Sequence, residues 1–458
     1  MESSNLVIIG AGPAALRAAI AAVDAGTIPI MISSSGIGSG SAGNDLAGLA
    51  ASIDEVSSSA HRDDTIAAGG DSTDKVAAAR TCGEAVKVVA ELERWGLVFR
   101  RREGGLPHAS QVHGHSMPRM TGCGDSTGRN ITRILEEQAM KRGVVRRSDL
   151  QPISLVMDKN QVRGITILDI NTGEIRGIQT KAIILATEGH QGIWTSPANG
   201  DGLGASLAAD AGITLSGLSN PPHHPLTIRG TDLHLSLDLL GSGGRVRKAS
   251  GEDIDLSEVE DNDIILDLRA IDSNASVWFN QTRAQIKNRT GLDMSREVVP
   301  ISSTIAATTG GAPVDEHGRV TLSKGKKWAT GLYAAGRSAH NGMHGKGLLA
   351  GNLILDDLVS GRAAGLHAGQ WVKEAAFGGS NLVEKEITKS EKKIQNLHSS
   401  DGNSVGQTAA TLASIMSSCV NGSLDENSLA SAASFLAELK SAGIKITDSS
   451  SVMNTELS

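Results

Sequence analysis

The chain has 458 residues, a formal net charge of −7 and dispersed basic residues, so it carries no electrostatic footprint for nucleic acid. Three cysteines (Cys82, Cys123, Cys419) have no metal-type spacing and are too few for a disulfide framework, which fits a reducing, cytoplasmic setting. There is no apolar run of about 20 residues and no basic leader with a cleavage site in residues 1–20, so the reading is a chain that neither spans a membrane nor is exported.

The first element is a buried strand, Leu6-Val7-Ile8-Ile9, which breaks into Gly10-Ala11-Gly12-Pro13-Ala14-Ala15 and an Ala-rich helix to about Val23. This is a G-x-G-x-x-A fingerprint between a strand and a helix. Gly10 permits the tight turn, Gly12 lets backbone approach a pyrophosphate, and Ala15 lets the helix pack close to the strand. The helix N-terminus then directs its free N–H groups at the phosphates. A second parallel strand, 28–32, ends in Ser33-Ser34-Ser35 where many such sites carry an acid for the ribose, and 33–43 reads as a loop.

Helical periodicity covers 73–95, stopping at Trp95-Gly96, and again 129–141. Strands follow at 152–157, 162–169 and 174–180, with Asn171-Thr172-Gly173 as a hairpin turn, and a separate buried strand at 182–186. Residues 213–310 change character and read as an inserted α+β domain with an acidic stretch at 250–262. The nucleotide-binding pattern returns at Gly331-Leu332-Tyr333-Ala334-Ala335-Gly336, followed by a helix over 352–366. The tail from 380 reads as a small helical appendage, with amphipathic stretches near 408–419 and 427–441 and the last ten residues frayed. The expected division is 1–212 and 311–370 for a Rossmann-like α/β dinucleotide domain, 213–310 for the insert and 371–458 for the appendage. Three Gly-rich strand ends, at 10–12, 186–189 and 331–336, must converge if one long cofactor lies across the sheet.

Taken together, these segments resemble the succinate dehydrogenase/fumarate reductase flavoprotein family, which includes L-aspartate oxidase. The matching pieces stand in register over roughly residues 5–366. Besides the fingerprint they include His61-Arg62-Asp63-Asp64-Thr65 with Gly69, Leu92–Leu97, and Gly114-His115-Ser116 through Arg119 to Asp125-Ser126-Thr127-Gly128. Ala186-Thr187-Glu188-Gly189, Gly200-Asp201-Gly202, His224-Pro225, Gly310-Gly311, the 331–336 turn, and His344-Gly345 with Gly351-Asn352 complete the set. The resemblance implies FAD, held through Gly10, Gly12, Ala15, Ser33, His115, Asp201, Gly336, His344 and Asn352, and no metal. It also implies hydride transfer with a small dicarboxylate and electrons passed to an iron–sulfur subunit. The location it implies is cytoplasmic, peripheral on the inner face of the cell membrane through partner subunits.

Against the family pattern, His224 occupies one substrate position, but Ala306 stands for a second histidine and Leu348 for a carboxylate-binding arginine. Arg337 replaces a glutamate, and the segment that carries the proton-donating arginine is shortened. The candidate catalytic set is therefore His224, Arg245 and Lys346, with Arg247 or Arg229 as substitutes for Arg245. Ser41 or a neighbour replaces the flavin-linking histidine, so FAD is expected to be non-covalent. Two other readings stay open: an FAD oxidoreductase for another substrate, aspartate oxidase-like or otherwise, and a catalytically silent flavin-binding subunit.

Overall fold

The computed structural model describes residues 1–33, 46–52, 55–194, 200–219, 221–256, 259, 263–322, 325, 327–421 and 426–457. Strand β1 (Glu2–Ile9) is apolar where it is buried on both faces, and it runs parallel to β2 (Ile30–Ile32) and β6 (Ile175–Leu185). The sheet extends through β2 to β3 (Val145–Arg147), and through β6 to β12 (Lys327–Ala334), whose partner β11 (Arg319–Leu322) is antiparallel. Strands β4 (Leu150–Asp158) and β5 (Gln161–Asp169) form a hairpin leaving the edge of β6.

Two differences from the sequence reading concern β6 and the 73–95 helix. The expected strands 174–180 and 182–186 are one strand of 11 residues. Its first half pairs with β5 and its second half with β12, so the polar Lys181 between them is a change of neighbour and no turn. The 73–95 segment is two helices, Lys75–Gly83 and Ala85–Arg94, the first begun by Asp74, whose carboxylate accepts from the N–H groups of Val76 and Ala77. Most of the 33–43 loop lies outside the described residues.

Helix α1 (Pro13–Asp24) packs against α4 (Asn352–Trp371), which continues beyond the expected 366. Their contact is a seam of small residues. Gly361, Gly365 and Gly369, four apart on α4, lie against the backbone of Ala14, Ala18 and Ala22, four apart on α1. A Cβ at Gly361 or Gly365 would collide with the carbonyl oxygen of Ala14 or Ala18. The register sets the first turn of α1 against the third turn of α4, so the N-terminus of α4 reaches beyond that of α1 by a fixed offset.

Between 213 and 310 lies a four-stranded antiparallel sheet: β8 (Arg245–Lys248), β9 (Ile264–Asp267), β10 (Val299–Thr304) and β7 (His224–Ile228), in that spatial order. It has its own apolar core, which includes Leu226, Leu266, Phe279 and Ile301. This layer is the cap. Helices Ser380–Ser399, Val405–Asn421 and Glu426–Ala442 form the tail. The final residues are not frayed: the Met453 N–H donates to the Ile170 carbonyl, and buried Asn454 donates to the carbonyls of Asp448 and Ser450. No helix among the described residues is long and apolar enough to cross a membrane.

Gly365→Val should lower stability by about 3 kcal/mol or more, because the added side chain has only backbone to displace. Gly291→Ala, at an open helix end, is the comparison and should cost far less. Urea unfolding of the two variants distinguishes them; equal midpoints would refute the seam.

Candidate functional site

The strand ends are stitched at one level. The Gly10 N–H donates to the Ile32 carbonyl (3.0 Å), Ala186 to Ile9 (2.8 Å), Ala335 to Leu185 (2.9 Å) and Ser33 to Arg147 (3.0 Å). The three expected Gly-rich ends thus converge. Gly10 (φ +130°) has no room for a side chain, since the carbonyl of Ala186 occupies that space, and Gly336 (φ +58°) abuts Ala14 and Asp357. Gly12 is different. A Cβ there would meet nothing nearer than Glu188 Oε1, at 3.9 Å, so its openness serves something other than the fold.

Two cavities flank this turn. The smaller, about 230 Å³, is lined by Gly10, Ala11, Ser33, Arg146, Arg147 and Ser148 among others. Arg146 had no signal in the sequence, because β3 is too short to read. Its two Nη atoms are buried without a hydrogen-bond partner among the described residues. The larger, about 630 Å³, lies between the N-terminus of α4 and the cap. Gly48, Arg337, Leu348, Ala350, Gly351 and Ile354 line one side of it, and Pro222, His223, His224, Pro225 and Leu237 the other.

Around α4 the polar groups form closed chains. Asn352 holds two partners: its Oδ1 accepts from His61 Nε2 (2.7 Å) and its Nδ2 donates to Thr65 (3.0 Å). His115 accepts from Arg119 at Nδ1 (2.8 Å), so its proton sits on Nε2, which donates to the Ala350 carbonyl (3.1 Å); Arg119 also pairs with Asp64. Burial drives His61 and His115 down to about 4, helped in both by the positive charge of Arg119. His224 donates from Nε2 to the Leu235 carbonyl (2.8 Å), and burial takes it down to about 3. All three rings are neutral at working pH.

At the junction of turn and large cavity lies a buried charge triad. Arg337 Nη1 is 3.2 Å from Glu188 and Nη2 3.9 Å from Asp357. Burial pushes Asp357 up to about 7, against the pull of Arg337. Glu188 and Arg337 stand where the resemblance has a glycine and a glutamate, and Asp357 gave no separate signal.

The remaining candidates sit as follows. Ala15 is fully buried in α1. His344 is buried with Nε2 3.3 Å from Asp356. Asp201 is exposed and accepts from the Leu203 N–H, opening helix α3 (Leu203–Asp210), and it lines neither cavity. Arg245 is exposed on β8, 3.7 Å from Asp253, and Lys346 is exposed; neither lines the large cavity. Arg247 pairs with Asp253 and Asp267, and Arg229 donates to the carbonyls of Ile264 and Ile301. Ser41 lies outside the described residues. Cys82 and Cys123 are small buried residues; burial raises the Cys82 thiol to about 11. Among the described residues no group of histidines, cysteines and acids is arranged to hold a metal ion.

These features fit FAD: an open Gly12 at a helix N-terminus for the pyrophosphate, one cavity with arginines for the adenosine end and another for the ring. Comparison with known proteins agrees. Residues 5–354 match the family described as FAD binding domain. The succinate dehydrogenase flavoprotein subunit of Rickettsia bellii is 24% identical over 502 aligned residues, covering 99% of this chain and 84% of that protein. L-aspartate oxidase of Mycobacterium leprae is 29% identical over 80% of this chain and 75% of its own. A variant of the FrdA chain of E. coli quinol fumarate reductase superposes with a TM-score of 0.88 at 23% identity, over 100% of this chain and 86% of that one.

Two outcomes follow. Gly12→Val should fold with the melting temperature of the unaltered protein stripped of flavin, yet fail to regain flavin absorbance when FAD is added, since only a bound pyrophosphate needs the space; a fully yellow variant would refute this. Because His61, His115 and His224 titrate near 6.5 when unfolded and at about 4, 4 and 3 when folded, the unfolded chain binds protons first as pH falls. Stability should be full above pH 6.5 and drop by up to about 1.4 kcal/mol per pH unit per histidine toward pH 4. Melting temperatures measured from pH 7.5 to 4.5 check the slope, and a flat profile would contradict it.

The chain belongs to the FAD-binding family of the succinate dehydrogenase and fumarate reductase flavoproteins and is an FAD-dependent oxidoreductase.

Proposed function

We propose that this chain moves a hydride between non-covalently held FAD and a small organic substrate other than a dicarboxylate, and passes the electrons to an iron–sulfur partner subunit. The observation that carries the reading is the large cavity, walled by the N-terminus of α4 on one side and the cap on the other. FAD, when bound, supplies a ring that accepts or returns a hydride. The protein's own contribution is positional. The α1–α4 seam sets the two helix N-termini, Asn352 and the His115–Arg119–Asp64 chain hold the start of α4, and the cap excludes water from the cavity. His224, neutral and oriented by the Leu235 carbonyl, presents a fixed ring on the cap wall.

The lining departs from the dicarboxylate site that the family resemblance implies. Among the described lining residues Arg337 is the only lysine or arginine, and two carboxylates hold it. Leu348 stands in place of a carboxylate-binding arginine. The partner and a place on the inner face of the membrane rest on the relatives, which are named as flavoprotein subunits.

Purified protein should be yellow, and acid precipitation should leave the colour in the supernatant. Folded protein that stays colourless after incubation with FAD would end this reading, and colour in the pellet would show a covalent link.

A further inference from the structure

Apart from the imidazoles of His223 and His224, the described residues on the cap side of the large cavity are aliphatic. Leu237 and Pro225 come from the cap, Leu46 from the segment before Gly48, and Leu348 from the turn before α4. The imidazole of His224 is the buried polar group on this side, and its Nε2–H is already given to the Leu235 carbonyl.

A carboxylate moved into such a wall loses its hydration, at a cost of several kcal/mol unless a cation with fitting donors meets it. Arg337 is poorly placed to be that cation. It is buried, and recruiting it to a ligand would separate it from Glu188 and Asp357, leaving the buried Asp357 beside the new anion. A second carboxylate would have no lysine or arginine at all among the described lining residues. A neutral ligand avoids both costs, and each methylene it buries adds to its affinity.

We infer that the cavity selects a neutral small molecule, with an aliphatic body and uncharged polar groups, over any mono- or dicarboxylate of the same skeleton. This rests on the reading of the cavity as the substrate site beside FAD and names the class of substrate that site takes.

Dimethyl succinate and succinate share a carbon skeleton and differ in charge, so they are the probes. With flavin-loaded protein, the diester should perturb the flavin absorbance saturably and at a concentration at least tenfold lower than succinate. Leu348→Arg should narrow or reverse that ratio while flavin content stays the same, because a cation then enters the aliphatic wall. Succinate binding as tightly as the diester to the unaltered protein, or no saturable effect of the diester, would overturn the inference. Ligand-induced shifts in melting temperature, read on the same samples, guard against a silent spectrum. A preparation that never takes up flavin sinks the proposed function, whereas a yellow preparation that prefers succinate sinks only this inference.

Discussion

The seam between α1 and α4 is the constraint on which the site depends. Two helices from opposite ends of the sequence approach closely only because glycines on one meet alanines on the other, so the contact is backbone against methyl group. Close approach fixes the offset between the turn at Gly10–Gly12 and the turn at Gly351, which lies further along the same helix pair. A cofactor with a pyrophosphate and a planar ring needs both turns at once, one for its charge and one for its ring. The low aromatic content of the chain, 2%, belongs to the same design, since a core of Ala, Gly, Val, Ile and Leu permits such packing where bulky rings would hold the helices apart.

Charge is handled differently at the two ends of the site. At the small cavity, arginines face inward with hydrogen-bonding capacity to spare on Arg146. At the large cavity, the one arginine among the described lining residues is bracketed by two acids, and His224 is desolvated and neutral. The first environment suits a phosphate-bearing, polar group. The second is close to electrically closed, which suits a reaction in which the protein orients a neutral substrate and leaves the redox chemistry to the cofactor.

Much of this was legible from the residues. The fingerprint turn, the converging glycine-rich ends, the Asn171–Gly173 hairpin and the position of the cap all follow from local rules, because Gly and Pro positions and apolar runs encode backbone geometry directly. What escaped depends on partners distant in sequence. Lys181 looked like a break because its place in the middle of β6 is decided by two different neighbouring strands. Asn352, chosen as a cofactor ligand, binds His61 and Thr65, and Asp201 caps a helix; the letters alone do not reveal where a polar side chain finds its partner. Asp357 is silent in sequence for the same reason, its importance arising only from the arrival of Arg337.

The tail has a consequence of its own. Helix Ser380–Ser399 lies on strands β4 to β6 where Gly164 and Gly177 leave a recess, and Val383 fills it; the hydroxyl of Thr166 meets that of Ser390 and Ser154 donates to Glu386. The Met453 N–H then returns to the loop after β5. The C-terminal segment is thus a clamp on one edge of the nucleotide-binding sheet and no detachable ornament. That edge is covered only once residues 380–453 have been made, so the nascent sheet waits, half sheltered, for segments far downstream of its own strands.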